Sequence, residues 1–168
     1  MSKNLPNNIT DNETVSTNIL GPVVFTLSDL EVQGSGASVP VGSTIAPGDS
    51  PFIVASNETF TLSVNVEFNN SPLTKLLLCL VTQMKIRFSL EGVGQIANEV
   101  DLDVTGVTQK GQYTYELSLE TTAEEANMTA GLYAITAVAS IGPSENPCAN
   151  DVYGFGYIAG RLLQVYDA

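Results

Sequence analysis

Thr59-Phe60-Thr61-Leu62-Ser63-Val64-Asn65-Val66-Glu67-Phe68 is the stretch that decides the fold. Phe60, Leu62, Val64, Val66 and Phe68 alternate without a break with Thr59, Thr61, Ser63, Asn65 and Glu67. Side chains of an extended chain point alternately to opposite faces, so this run is a strand with one dry face and one wet face. Asn69-Asn70-Ser71-Pro72 follows and reads as the turn that ends it.

The same rhythm recurs on both sides. Met84, Ile86, Phe88 and Leu90 alternate with Lys85, Arg87, Ser89 and Glu91. Val100, Leu102 and Val104 alternate with Glu99, Asp101 and Asp103, and Tyr113, Tyr115, Leu117 and Leu119 share one face of a further run. Residues 23–33 read as a strand whose alternation slips near Ser28-Asp29, the mark of a bulge. Residues 132–141 and 160–166 read as the last long strands. Short strands at this spacing, with turn residues between them, predict an all-β, antiparallel two-sheet sandwich. Its core is expected to hold Phe60, Val64, Val66, Ile86, Phe88, Leu117, Tyr133 and Ile135, with Phe60, Phe88 and Tyr133 as structural anchors.

Two segments stand apart from the strands. Residues 1–20 are polar and rich in Asn and Thr, and read as an arm outside a single domain over residues 21–168. Residues 34–51 hold so much Gly and Pro that they read as a long loop or an irregular edge. One short helical turn is expected at Thr121-Thr122-Ala123-Glu124-Glu125-Ala126-Asn127-Met128, where Thr122 and Glu125 have capping-box spacing. The apolar run Leu76-Leu77-Leu78-Cys79-Leu80-Val81 is open to two readings, a crossing strand or helical turn buried on both sides, or a cover for a partner.

Met128-Thr129-Ala130-Gly131-Leu132-Tyr133-Ala134-Ile135 resembles the corner that leads into the penultimate strand of immunoglobulin-like and fibronectin-like domains. The resemblance implies an immunoglobulin-like sandwich in which Tyr133 is buried and its hydroxyl bonds back to the upstream backbone, near the turn at residues 121–127. The chain has no Trp for the third strand and only two Cys, so antibody-type domains are excluded. Kinship at this level implies a fold and no function.

Composition narrows the function classes. The 168 residues carry six Lys and Arg against eighteen Asp and Glu, a net charge of −12. Such a surface repels phosphate backbones and anionic headgroups, so nucleic acid is not an expected partner, and the longest apolar run, Leu76–Val81, is too short for membrane insertion. There is no His, which removes the commonest general base and metal ligand. The chain is expected not to be an enzyme. The N-terminus shows no apolar signal core, so the expectation is a cytoplasmic protein, with an extracellular or surface location left open. Cys79 reads as a buried inert thiol and Cys148 as a loop residue; a bridge between them stays open.

Three groups of residues are candidates for function. Glu99, Asp101 and Asp103 put three carboxylates on one strand face, neighbours about 6.5–7 Å apart. They are either a solvated face that discourages edge pairing or ligands for Ca²⁺, and no other cofactor is expected. Gly154-Phe155-Gly156-Tyr157-Ile158-Ala159-Gly160 has the wrong glycine spacing for a nucleotide loop and is followed by a strand, so it reads as a glycine-bulged strand against which a ring or backbone packs. Val15, Ile19 and Leu20 give the arm the makings of a strand that pairs with a neighbour's sheet edge. The expected function is a non-enzymatic structural or protein-interaction module, self-assembling as a homo-oligomer through its arm or binding a protein partner. The alternative is a calcium- or carbohydrate-binding sandwich module.

Overall fold

In chain order the elements are β1 (Phe25–Gly34), β2 (Ile53–Ala55), β3 (Thr59–Phe68), α1 (Pro72–Cys79), β4 (Thr82–Val93), β5 (Glu99–Val107), β6 (Thr114–Thr122), β7 (Gly131–Ser144) and β8 (Gly154–Tyr166). The computed structural model describes residues 22–35, 50–144 and 154–168. The expected arm, with Val15, Ile19 and Leu20, and Cys148 lie outside the described residues.

The strands form two sheets, β1-β3-β6 and β2-β8-β7-β4-β5. Among the described residues every pairing is antiparallel except the short parallel β2–β8 ladder. The architecture is sandwich-like, with curvature of a half-barrel. Register shifts between Thr82 and Met84 on β4 and at Gly160 on β8 interrupt the ladders of the larger sheet, and such bulges bend strands. Among the described residues no helix is long and apolar enough to cross a membrane.

β3 behaves as its alternation requires. Phe60, Leu62, Val64 and Val66 are fully buried and Phe68 nearly so, while their neighbours stay half-buried or exposed. Opposite them Met84, Ile86, Phe88 and Leu90 of β4, and Tyr133, Ile135, Ala137, Ala139 and Ile141 of β7, close the core. All eight expected core residues belong to this cluster. Each large apolar side chain so enclosed contributes about 1.5–3 kcal/mol. The slip near Ser28-Asp29 is a bulge in the β1–β3 ladder between Ser28 and Glu31, with Asp29 at a φ of 51°.

The helical content agrees with the sequence expectation at one place and goes beyond it at another. The segment at Thr121–Met128 makes its capping box: the Glu125 amide donates to Thr122 Oγ1 at 3.1 Å, and the Thr122 amide donates to Glu125 Oε2 at 3.2 Å. It forms the one turn expected, closed by the Ala126 amide on the Thr122 carbonyl at 3.0 Å, and Asn127 at a φ of 56° stops a second turn. Among the described residues the α-helix is α1. Ser71 Oγ accepts the Thr74 amide at 3.1 Å and Pro72 occupies the first turn, so the supposed strand-ending turn is a helix start. Two buried hydroxyls close its other end, Thr82 donating to the Leu77 carbonyl at 2.9 Å and Thr108 to the Leu78 carbonyl at 3.1 Å. Helical periodicity turns Leu77 and Leu78 inward and leaves Leu76 and Cys79 exposed. Cys79 is therefore a solvent-facing thiol, contrary to the buried one expected.

Candidate functional site

The acidic ladder lies on β5, the outer edge of the five-stranded sheet, with all three carboxylates exposed. Cross-strand register sets Asp103 opposite Arg87, Asp101 opposite Ser89, and Glu99 opposite Glu91. Asp103 is held by the Lys85 ammonium at 2.8 Å and by Arg87 Nε at 2.9 Å and Nη2 at 3.2 Å. The Arg87 hydrogen bond, with help from Lys85, lowers its carboxyl to a pKa of about 2. Ser89 Oγ donates to Asp101. Two protein cations thus hold both oxygens of Asp103, and a hydroxyl holds one oxygen of Asp101. Among the described residues no three His, Cys, Asp or Glu side chains converge as a metal site.

Tyr133 is fully buried, and its hydroxyl lies 2.7 Å from both the Thr129 carbonyl and Asn98 Oδ1. The backbone acceptor is thus four residues upstream, just past the turn named from the sequence. Asn98 Oδ1 also accepts the Thr129 amide at 3.1 Å, and its side-chain amide donates to the Asn127 carbonyl at 2.8 Å. The corner therefore ties the β4–β5 connection to the β6–β7 turn.

β8 is the glycine-bulged strand expected, with a ring packed against it, but the sequence did not show that its own two rings face outward. On β8 the glycines of Gly154-Phe155-Gly156-Tyr157 face the interior and the two rings face out, Phe155 72% and Tyr157 68% exposed. The inner space is filled from the other sheet. A Cβ on Gly156 would lie 2.6 Å from the Phe25 ring and 3.2 Å from Leu27, so only glycine lets that ring approach. Phe25 in turn packs against Phe68, ring centroids 6.0 Å apart. The signal was present in the sequence as alternation of aromatic residues with glycine, in which the large residues need not be the buried ones.

Register places Ser140 next to the Phe155 ring and Val138 next to the Tyr157 ring, and Thr136 next to Ala159 continues the uncharged strip. The next strand sets Lys85 beside Ser140 and Arg87 beside Val138. A shallow depression of about 200 Å³ lies there, lined by Lys85, Arg87, Val138 and Ser140. The outer face thus runs from an aromatic ridge on β8, through a trough on β7, to cations on β4 and acids on β5. Arg161 does not join this face; it reaches the opposite sheet, donating from Nε to the Leu30 carbonyl at 2.7 Å. A second apolar feature, a cleft of about 550 Å³, lies between the start of β1 and α1, with Val24 and Leu76 more than half exposed on its walls.

No protein-family model matches the chain, and no curated protein does. Solved structures give distant likenesses. One is AggA, the major subunit of aggregative adherence fimbriae type I from Escherichia coli, at 10% identity and a TM-score of 0.35, over 88% of this chain and 95% of that one. Another is a β-D-glucoside glucohydrolase from Trichoderma reesei, at 14% identity and a TM-score of 0.32. That likeness covers 86% of this chain, which spans only 19% of the enzyme's length. No family is assigned. At these TM-scores neither likeness bears on what this chain does.

Proposed function

We propose that this chain is a non-enzymatic structural module that associates with copies of itself, built on an immunoglobulin-like sandwich. The strand order β1-β3-β6 against β2-β8-β7-β4-β5 and the buried Tyr133 corner support the immunoglobulin-like topology. One observation carries the functional reading: two aromatic rings are held outside by a strand whose inward positions are glycine. A chain under selection for stability alone would turn those rings inward, where each could bury about 150–250 Å². Rings displayed beside small uncharged side chains are the composition of an interface centre, with charge kept to the rim. The arm of residues 1–20 supplies a second contact, using Val15, Ile19 and Leu20 against a neighbour.

Light scattering across a concentration series tests this. The mass-average mass should rise above that of the 17.7 kDa chain as concentration increases. Removing residues 1–20 should weaken the association and leave the circular dichroism spectrum unchanged. A strictly monomeric full chain at every concentration contradicts the proposal.

A further inference from the structure

Resting on the reading that the chain self-associates, we infer that two copies pack face to face across a two-fold axis, the Phe155–Tyr157 ridge of each lying in the β7 trough of the other. Ridge and trough lie side by side on one face and run in the same register. A two-fold axis parallel to the strands, lying between β7 and β8, keeps every residue at its own height. It therefore carries Phe155 of one copy over Ser140 of the other, and Tyr157 over Val138, because these are already cross-strand neighbours within each copy. Both halves of the contact form at once, as an isologous interface requires. Val138 and Ser140 also line the depression, so the ring that faces them has a place to enter.

Charge selects the same occupant. The chain carries −12 overall, yet the outward side chains of β7 and β8 in this strip are all uncharged. A neutral strip is the one part of the face where two such copies can meet without opposing carboxylates. Arg87 and Lys85 then stand at the rim, within reach of the incoming ring faces for cation–π contact. The strip is two strands wide and about ten residues long, roughly 10 Å by 30 Å from strand spacing and rise. That footprint is well below the ~800 Å² per partner of a standard interface, so the dimer is weak and concentration-dependent. Added salt strengthens it, since screening relieves the repulsion between two anionic bodies.

Sedimentation velocity on the full chain, with Tyr157→Ser and Val138→Arg, tests the geometry. Each variant keeps its urea midpoint and loses association at least about tenfold. An equimolar mixture of the two recovers part of it, because the intact ridge of Val138→Arg fits the intact trough of Tyr157→Ser. Failure of the mixture to recover, or association of either variant within about twofold of the parent, overturns the inference. If removal of residues 1–20 alone abolishes association while both strip variants associate normally, the arm makes the contact; self-association then stands and this inference falls. If the parent is monomeric throughout, both fall. If soluble cello- or chito-oligosaccharides perturb Tyr157 fluorescence in a monomeric protein, the strip belongs to carbohydrate and the inference is again overturned.

Discussion

β3 and the first half of β8 are both alternating strands, yet they alternate in opposite senses. On β3 the large residues point inward and Thr, Ser and Asn face out. On β8 glycine points inward and Phe155 and Tyr157 face out. The core loses nothing by this, because Phe25 crosses from β1 to fill the space that Gly154 and Gly156 leave. Alternation in a sequence thus locates a strand and its two faces. Which face is buried depends on what the opposing sheet brings.

The comparison can be broken from the β3 side first. Phe60→Ala should destabilise by about 3–5 kcal/mol, read as a lower urea midpoint, because Phe60 is fully enclosed and the cavity cannot collapse against paired strands. A loss below about 1 kcal/mol would mean that β3 is not the centre of the core.

On β8 the informative change is an addition. Gly156→Ala drives a methyl into the Phe25 ring and should cost about 1–3 kcal/mol, as overpacking does. Phe25→Leu in the same chain should recover part of the loss, although it is destabilising alone. Additive losses in the double-mutant cycle would show that Phe25 is not the reason for the glycine.

Much of this was legible in the sequence. β3, β4 and β5 follow from unbroken alternation, and the Tyr133 corner from its local motif. What escaped has a common physical cause, the double use of one set of residues. Ser71-Pro72 ends a strand or starts a helix with the same chemistry, since an N-cap hydroxyl and a turn hydroxyl both accept backbone amides. Thr122 and Glu125, by contrast, cap only the single turn expected of them. The exposed rings escaped because Gly-Phe-Gly-Tyr looks like packing, and half of it is. Alternation puts the acidic ladder on its exposed face, but the cations opposite it come from a strand whose register no sequence rule supplies.

Tyr133→Phe is a milder test. It leaves the Thr129 carbonyl without the hydroxyl donor, while Asn98 Oδ1 keeps the Thr129 amide, so about 1–2 kcal/mol should be lost. Differential scanning calorimetry would show a lower midpoint with an unchanged unfolding mechanism. No change would detach the corner from the stability of the sandwich.

The smallest effect belongs to the charged end of the outer face. Asp103 has its pKa lowered from 3.8 to about 2 by Arg87 and then Lys85. A depressed carboxylate stabilises the fold above its unfolded pKa, and that stabilisation is lost as pH falls toward about 2. The pair is exposed and screened, so the slope in that window should be slight, absent in Asp103→Asn, and flattened by salt. A slope that survives both changes would place the acid sensitivity elsewhere.

The claim that the β8 rings serve the outside of the molecule is tested most directly by the double substitution Phe155→Ser with Tyr157→Ser, followed by light scattering and urea melts on one sample. Stability should stay within about 0.5 kcal/mol of the parent, as for surface positions, while the concentration-dependent rise in mass disappears. A variant that loses about 2 kcal/mol or more and still associates like the parent would make the rings structural and contradict the account.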